Sequence, residues 1–366
     1  MDFSITNKLS SSLGDHKRNV IILVGLVYLL CVFGSIQYYN LLGYVFGMSR
    51  EIQIMQDYDT CIACDITFHT LRAESWDFNN LVCAGDKFYA PAIHVLLGLV
   101  YRLLDIEMEY AYILFSNFIA YVLIPIAIWN LGGIYLRPSR QFLSILFYLF
   151  LTRISLLFVG WGIIAHALGI FFSIMCLKYM CDYLNDPRKR DYLNVILTLV
   201  LTVLTHQGAA AYLLMLFVAF LILSKKYKTI ALIVLIVLAL FITFPTYINR
   251  PLEYARGSFN MFQNRLWWLF TKQWPKQIHP LLIVWGFYGM GTKWKNADKL
   301  FWLALLSPMI LFFMELNGRT IMHTIPLACI IAARGFTWPR KHRLLFVLMI
   351  VWSVIVVLRG ALVISF

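Results

Sequence analysis

Long, uninterrupted apolar stretches constrain this chain more than any other feature of its sequence. The clearest of them are Val20–Tyr39, Tyr110–Tyr135, Thr229–Tyr247 and Arg343–Val363. Each reaches the roughly 18 residues that a helix needs to cross a hydrocarbon core about 30 Å thick. In lipid, a segment must pair every backbone N–H and C=O internally, so such stretches must be helical. The sequence therefore predicts an all-α fold, a single domain that is a polytopic transmembrane helical bundle of about 11–12 spans.

Composition and charge agree with a membrane domain and argue against nucleic acid as a partner. Of the 366 residues, 61% are hydrophobic and only 13% are charged, which gives too little polar surface for a soluble domain of this size. The net charge is +13. The basic residues, however, lie mainly in short turns between apolar stretches, where the positive-inside rule places them. We therefore expect membrane lipids around the protein and no nucleic-acid partner.

The basic turns also predict how the chain is oriented. Lys8, Lys17 and Arg18 precede the first span, which predicts a cytoplasmic N-terminus in a multi-pass protein of the cell (plasma or inner) membrane. Later basic turns, which we also interpret as cytoplasmic, are Arg137/Arg140, Arg188–Arg190, Lys225–Lys228, Lys293/Lys295 and Arg340–Arg343. The nearly uncharged turns that we place on the outer face are Gly160–Gly162, Thr205–Gln207 and Glu315–Arg319.

The stretch Pro91–Leu104 leaves the number of spans open, because it is apolar but short. If it crosses the membrane, strict alternation puts Arg137 and Arg140 on the outer side. If it is a half-span, both arginines stay on the cytoplasmic side, in agreement with the other basic turns.

Two longer polar loops are predicted on the outer face, a first loop over residues 41–90 after the first span and a second loop over residues 248–280. The second loop has a single acid, Glu253, and its cations are Arg250, Arg256, Arg265, Lys272 and Lys276. Cations kept outside, against the positive-inside trend, indicate anion binding. The alternative is an interfacial helix with an aromatic belt, since several tryptophans accompany these cations.

The first outer loop carries a cluster of acidic residues that includes Asp57, Asp59 and Asp65. Asp65, His69 and Arg72 follow a spacing of three or four residues and would share one face of a short helix. An aspartate beside a histidine at a membrane surface can act as a general base toward an acceptor hydroxyl. It can also ligate a divalent cation, such as Mg²⁺ or Mn²⁺, that neutralises a phosphate. The alternative is a solvated acidic loop.

The seven cysteines divide into two groups. Cys61, Cys64 and Cys83 lie in the first outer loop, where we expect a structural disulfide or free thiols and favour a zinc site less, because a second Cys-x-x-Cys is lacking. The remaining cysteines lie in predicted spans and are interpreted as packing residues: Cys31, Cys176, Cys181 and Cys329.

Short motifs recur at the predicted outer ends of the spans: Asp65–Ala73, Phe88–Leu97, Gly160–Gly169, Leu204–Gln207 and Asn317–Pro326. They combine an acidic residue that opens a helix, a proline before an apolar helix, small-residue turns with histidine, and an arginine just before a span with an internal proline. Their order resembles that of the GT-C superfamily of membrane glycosyltransferases, which take sugars from polyprenyl-phosphate carriers, and most of all its small prokaryotic members. The adjacent acidic pair usual in that family is missing at Asp65, and Asp57 and Asp59 are the alternative.

The resemblance implies an enzyme that moves a sugar from a lipid phosphate to a glycan or lipid acceptor on the outer face, in cell-envelope polysaccharide or glycoconjugate synthesis. Asp65 would be the base or would hold a metal ion, and His69 would orient it. The donor phosphate would be bound by cations near the outer surface, together with His323, which would line the same cavity: Arg319, Arg256, Arg265 and Lys272. One base and one displacement would invert the sugar.

Other functions stay open on the sequence alone. The basic loop at 248–280 suits an oligosaccharide polymerase or ligase that acts on lipid-linked glycans. A transporter or flippase without chemistry would place ionisable residues at the bilayer midplane, whereas most of them lie at predicted helix ends here. A non-catalytic subunit of an envelope-assembly complex would be expected to have a degenerate acidic motif at Asp65. His166 and His206, at predicted outer helix ends, are expected to cap helices or to form hydrogen bonds.

Overall fold

In the computed structural model, the described part of the chain consists of helices and the short turns that join or end them. The described residues are 17–33, 92–152, 164–225, 280–290, 299–306, 322–336 and 351. The all-α prediction is confirmed over this part of the chain. The two long outer loops lie outside the described residues, apart from the last residue of the second loop. The predicted number of spans therefore stays a prediction.

The helices are numbered in chain order. They are α1 (17–33), α2 (Ala92–Leu104), α3 (Met108–Phe118, continuing through the π-helical turn Ile119–Leu123 into Ile124–Tyr135), α4 (Pro138–Leu151), α5 (Ile164–Asn185), α6 (Lys189–Thr205), α7 (Gln207–Leu223), α8 (Pro280–Met290), α9 (299–306) and α10 (Thr324–Gly335).

Two of the described helices, α3 and α5, are long and apolar enough to cross a membrane, by length and composition. In α3 the qualifying segment is Tyr110–Tyr135, with 26 residues, and α5 has 22 residues. The apolar stretch predicted over Tyr110–Tyr135 is therefore confirmed as a continuous helix. Of the other predicted stretches, the first overlaps α1, and the last two lie almost wholly outside the described residues.

Helix α2 bears on the question that the sequence left open at Pro91–Leu104. Its 13 residues extend over only about 20 Å at 1.5 Å per residue, which is too short for a hydrocarbon core of about 30 Å. The chain then turns at Asp105, whose φ of 49° lies in the left-handed region, and enters α3. As described, α2 is thus a shorter apolar helix than α3 and α5, and both interpretations of Pro91–Leu104 stay predictions.

The π-helical turn inside α3 follows from one proline. Pro125 has no N–H, so one carbonyl about one turn before it loses its donor. The N–H of Ile124 donates to the carbonyl of Ile119, five residues back, instead of to that of Ala120. The Ala120 carbonyl then has neither an α-helical nor a π-helical donor, and the buried phenol of Tyr148 in α4 donates to it at 3.1 Å. A side chain of the neighbouring helix thus supplies the hydrogen bond that this carbonyl of α3 lacks.

Short connections make the neighbouring helices antiparallel and collect basic residues at one end of the bundle. The turn between α3 and α4 contains Arg137, and the turn between α5 and α6 contains Arg188. Tyr135, at the end of α3, lies 3.3 Å from Cys181 near the end of α5. Arg140 donates to the carbonyl of Arg334 at 2.5 Å, which joins the start of α4 to the end of α10. We refer to this end as the basic end.

Helix α5 occupies the centre of the described core and contacts α3, α6 and α7. Cysteines contribute to this packing: Cys176, Cys181 and Cys329 are buried, and Cys31 is half-buried. Their predicted role as packing residues is confirmed. On the other side of the core, α10 contacts α8 with no room for a side chain at Gly289 or Gly335. Small residues at helix contacts allow this close approach of two backbones.

Helix α6 presents polar side chains to the core and apolar side chains outward. The hydroxyls of Thr198, Thr202 and Thr205 are buried and donate to carbonyls of their own helix. The large apolar side chains exposed on α6 are Leu193, Leu197, Val200, Val203 and Leu204. This polarity is the reverse of that of a helix on the surface of a water-soluble protein.

Candidate functional site

Three histidines that are far apart in the sequence meet at the end of the bundle opposite the basic end. The ring centroids of His166 and His206 lie 4.5 Å apart, and those of His166 and His323 lie 4.9 Å apart. The ring of Tyr212 contacts that of His323 in a tilted arrangement, with 4.5 Å between centroids. We call these four residues the histidine cluster. His166 and His323 are buried, and His206 is half-buried.

Each histidine lies at or near the described start of a helix, which explains why they share one end of the bundle. His166 is in the first turn of α5 as described, and His323 immediately precedes α10. His206 is the single residue between α6 and α7, with an extended backbone (φ −157°, ψ 127°). Because α5, α6 and α7 alternate in direction through short turns, the starts of α5 and α7 fall together.

A glycine brings α5 close enough to the turn that carries His206. A Cβ at Gly169 would lie 2.7 Å from the Cβ of Ala209 and 3.2 Å from that of His206. The first distance is shorter than a normal contact, so the two segments could not approach this closely with any other residue at this position. The close packing at Gly169 therefore positions His206 against His166, one turn earlier in α5.

Hydrogen bonds fix the tautomers of His166 and His206. The backbone N–H of Ala209 donates to Nδ1 of His206 at 3.3 Å, so this nitrogen carries a lone pair. Nδ1 of His166 lies 3.2 Å from the same atom and must therefore be the N–H donor in that contact. It follows that neutral His206 carries its proton on Nε2 and neutral His166 on Nδ1. The sequence-based expectation that these histidines cap or hydrogen-bond is confirmed, since His206 caps α7.

His323 differs from its two neighbours in its hydrogen bonding. Its side chain is 2% exposed, and neither ring nitrogen has a hydrogen-bond partner among the residues that the structure describes. A neutral imidazole has one donor and one acceptor to satisfy. Leaving a buried polar group unpaired costs about 1–3 kcal/mol. Native proteins keep few such groups, and those that persist commonly serve a ligand, a bound water or a reaction.

Most of the site residues predicted from the sequence lie outside the described residues. They are Asp57, Asp59, Asp65, His69, Arg256, Arg265, Lys272 and Arg319. Their predicted roles, including the metal that Asp65 would hold, stay predictions. His323 is the one predicted site residue in the described part, and it joins His166 and His206 there. Within the described residues, no group of three or more His, Cys, Asp or Glu side chains has the arrangement to hold a metal ion.

Sequence reasoning predicted the three histidines at outer helix ends but did not bring them together, and it did not select Tyr212. The only sequence signal for the cluster is that each histidine belongs to, or lies next to, a turn predicted on the outer face. Chemically, the cluster offers neutral donors and acceptors enclosed by rings. The chain matches no family model, no curated protein and no solved structure with which it was compared.

Proposed function

We propose that the protein is a membrane glycosyltransferase that moves a sugar from a polyprenyl-phosphate carrier to a glycan or lipid acceptor on the outer face of the cell membrane. The observation that carries the proposal is the histidine cluster. It lies opposite the basic end, and His323 follows Arg319, the leading candidate for phosphate binding, by four residues in the sequence. A polar, enclosed cluster with a candidate phosphate-binding arginine close by in the sequence suits a site that takes a lipid-linked sugar.

The location in a membrane is supported by the surface of the bundle. Large apolar side chains of α1 and α6 are exposed, including Leu30 at 70% and Leu193 and Leu197 at 56% each. Exposed large apolar side chains of this kind are costly in water, whereas lipid covers them without cost. The hydroxyls of the buried threonines of α6 donate to carbonyls of the same helix. Polar groups in a membrane domain must form such internal hydrogen bonds.

In the proposed reaction, Asp65 removes the proton of the acceptor hydroxyl, which then attacks the anomeric carbon as the phosphate leaves. His69 orients Asp65. Arg319, with the cations of the second outer loop behind it, stabilises the negative charge on the leaving phosphate. A divalent cation, Mg²⁺ or Mn²⁺ held by Asp65, would serve the same purpose. A single displacement of this kind inverts the configuration at the sugar.

The test compares Asp65→Asn with the wild type in cells that lack the endogenous protein, at equal membrane levels. Lipid-linked and surface glycans are measured by mass spectrometry. We expect the wild type to restore a sugar unit and Asp65→Asn to lose at least about 100-fold of that activity, the low end of what general-base catalysis contributes. Asp186→Asn is the matched control, because Asp186 is an exposed acid at the basic end. A full rescue by Asp65→Asn would show that Asp65 is not the base.

A transporter is the second candidate, and the buried cluster is the observation that favours it. Buried ionisable side chains in membrane bundles often belong to a substrate or proton pathway. Under that reading, glycans would be the same with and without the protein, and sugar or lipid would instead redistribute across the membrane. The glycan measurement therefore separates the two functions.

A further inference from the structure

His323 combines deep burial with ring nitrogens that have no hydrogen-bond partner in the part of the chain that the structure describes, and its surroundings restrict what could pair with them. The ring of Tyr212 lies at an interplanar angle of 36° to it, and the ring of His166 at 73°. Both rings contact the imidazole, whereas the hydrogen bonds of its two nitrogens lie in the plane of the ring and point away from its edge. A ligand group would thus approach the edge of the ring.

The hydrogen-bonding chemistry of this edge suits a hydroxyl group. Burial among two other imidazoles and a phenol disfavours a charged ring, so His323 presents one N–H donor and one lone pair. A hydroxyl also has one hydrogen to donate and lone pairs to accept with, and can satisfy either nitrogen. The phosphate diester of a lipid-linked sugar offers only acceptors, so it could pair with the ring N–H but would leave the ring lone pair without a donor. The anion would also lose most of its hydration in these surroundings.

We propose that His323 binds a hydroxyl group of a sugar, in place of the phosphate-binding role expected from the sequence. This inference rests on the proposed function, because it names what one residue of that site binds. His166 and Tyr212 form the walls that hold the imidazole in position. Tyr212 is itself held by a hydrogen bond from its hydroxyl to the carbonyl of Ala304, at 3.1 Å.

The experiment uses the full chain in detergent and measures the midpoint of thermal unfolding against ligand concentration. The probes are free D-glucose, D-mannose and D-galactose, together with inorganic phosphate and a polyprenyl phosphate. The main variant is His323→Phe, which keeps a planar ring against Tyr212 and removes both nitrogens. His323→Gln keeps a donor and an acceptor. The matched control is His94→Phe, because His94 is a buried histidine of α2 outside the cluster.

We expect at least one hexose to stabilise the wild type and to bind His323→Phe at least about tenfold more weakly, a loss typical of one hydrogen bond to a neutral group. His323→Gln should retain more of this affinity, and His94→Phe all of it. Phosphate affinity should be unchanged in every variant. Without ligand, His323→Phe should unfold at a higher temperature than the wild type, because it removes a buried polar group that has no partner among the described residues.

Three outcomes would overturn the inference. In the first, no hexose stabilises the wild type. In the second, a hexose binds the wild type and His323→Phe equally, which would make the imidazole a packing residue. In the third, the substitution weakens phosphate binding alone, which would restore the phosphate role.

Failure of the proposed function has a different signature. Suppose that hexose binding depends on His323 but no glycan changes on deletion of the protein. The sugar-binding role of His323 would then be supported, and the transferase function would be rejected. If Asp65→Asn abolishes transfer while His323→Phe binds hexose like the wild type, the transferase stands and the sugar-binding role of His323 falls.

Discussion

At the scale of single residues, some buried polar groups in this bundle depend on a partner supplied by another helix. The phenol of Tyr148 is the clearest example, because it satisfies a carbonyl that Pro125 has left without a donor. Such a pair has few substitutes, since a carbonyl buried away from water has no alternative partner.

Tyr148→Phe removes that hydroxyl and leaves the Ala120 carbonyl buried and unpaired. We expect the free energy of unfolding to fall by about 1–3 kcal/mol. Tyr101→Phe in α2 is the control, because Tyr101 is only half-buried. Unfolding in mixed micelles, followed by circular dichroism, measures both variants. Equal stabilities of Tyr148→Phe and the wild type would mean that the carbonyl finds another donor.

The contact between His166 and His206 predicts a coupling energy. Because the Nδ1 atoms lie 3.2 Å apart and share a hydrogen bond, the effects of His166→Ala and His206→Ala on stability should not add. A double-mutant cycle should give an interaction energy of about 0.5–3 kcal/mol. The pair His94 and His206 provides the comparison, with a coupling near zero expected. A coupling energy of zero between His166 and His206 would show that their contact does not contribute to stability.

At the scale of elements, glycines decide where helices approach closely. Gly169 lies where α5 meets the turn between α6 and α7, and a Cβ there would lie 2.7 Å from that of Ala209. Gly25, in α1, has nothing within 4 Å of its hypothetical Cβ. The same chemical change at these two helical glycines should therefore have opposite effects.

Gly169→Ala should lower the free energy of unfolding by about 1–3 kcal/mol, the usual cost of overpacking. It should also displace His206 from His166 and weaken hexose binding. Gly25→Ala should be neutral or raise stability by up to about 1 kcal/mol, because alanine is the better helix former. The two variants are compared by unfolding and by the hexose titration. Equal effects would show that α5 does not depend on close approach at Gly169.

At the scale of the whole molecule, the basic end and the end that carries the histidine cluster lie opposite each other, because successive helices alternate in direction. Pro187 lies in the turn between α5 and α6 at the basic end, and Glu107 precedes α3 at the other end. Helix α3 separates these ends by about 40 Å at 1.5 Å per residue, which exceeds the thickness of the hydrocarbon core.

Cysteine labelling tests this arrangement. In a chain whose seven cysteines are replaced by alanine or serine, Glu107→Cys should react with a membrane-impermeant maleimide in intact cells. Pro187→Cys should react only after the membrane is permeabilised. The cysteine-free chain is the control for background labelling. Reaction of both positions from the same side would mean that α3 does not cross the membrane.

The sequence by itself determined the helical class and the helix over Tyr110–Tyr135, because a long apolar stretch has one way to pair its backbone when water is absent. Composition also determined that the cysteines of the predicted spans pack as small apolar residues. These are local properties, which depend on a residue and its immediate neighbours in the chain. The helix capping by His206 belongs with them, since it involves contacts only three residues apart.

Tertiary structure decided the features that depend on distance between segments. Nothing local to His166, His206 or His323 indicates that they touch, since the first and last are more than 150 residues apart. The short turns that alternate helix direction, together with the room left by Gly169, bring them together. The repair of the Ala120 carbonyl by Tyr148 is of the same kind. Pro125 predicts that a carbonyl loses its donor, but only the packing of α4 against α3 decides which side chain replaces it.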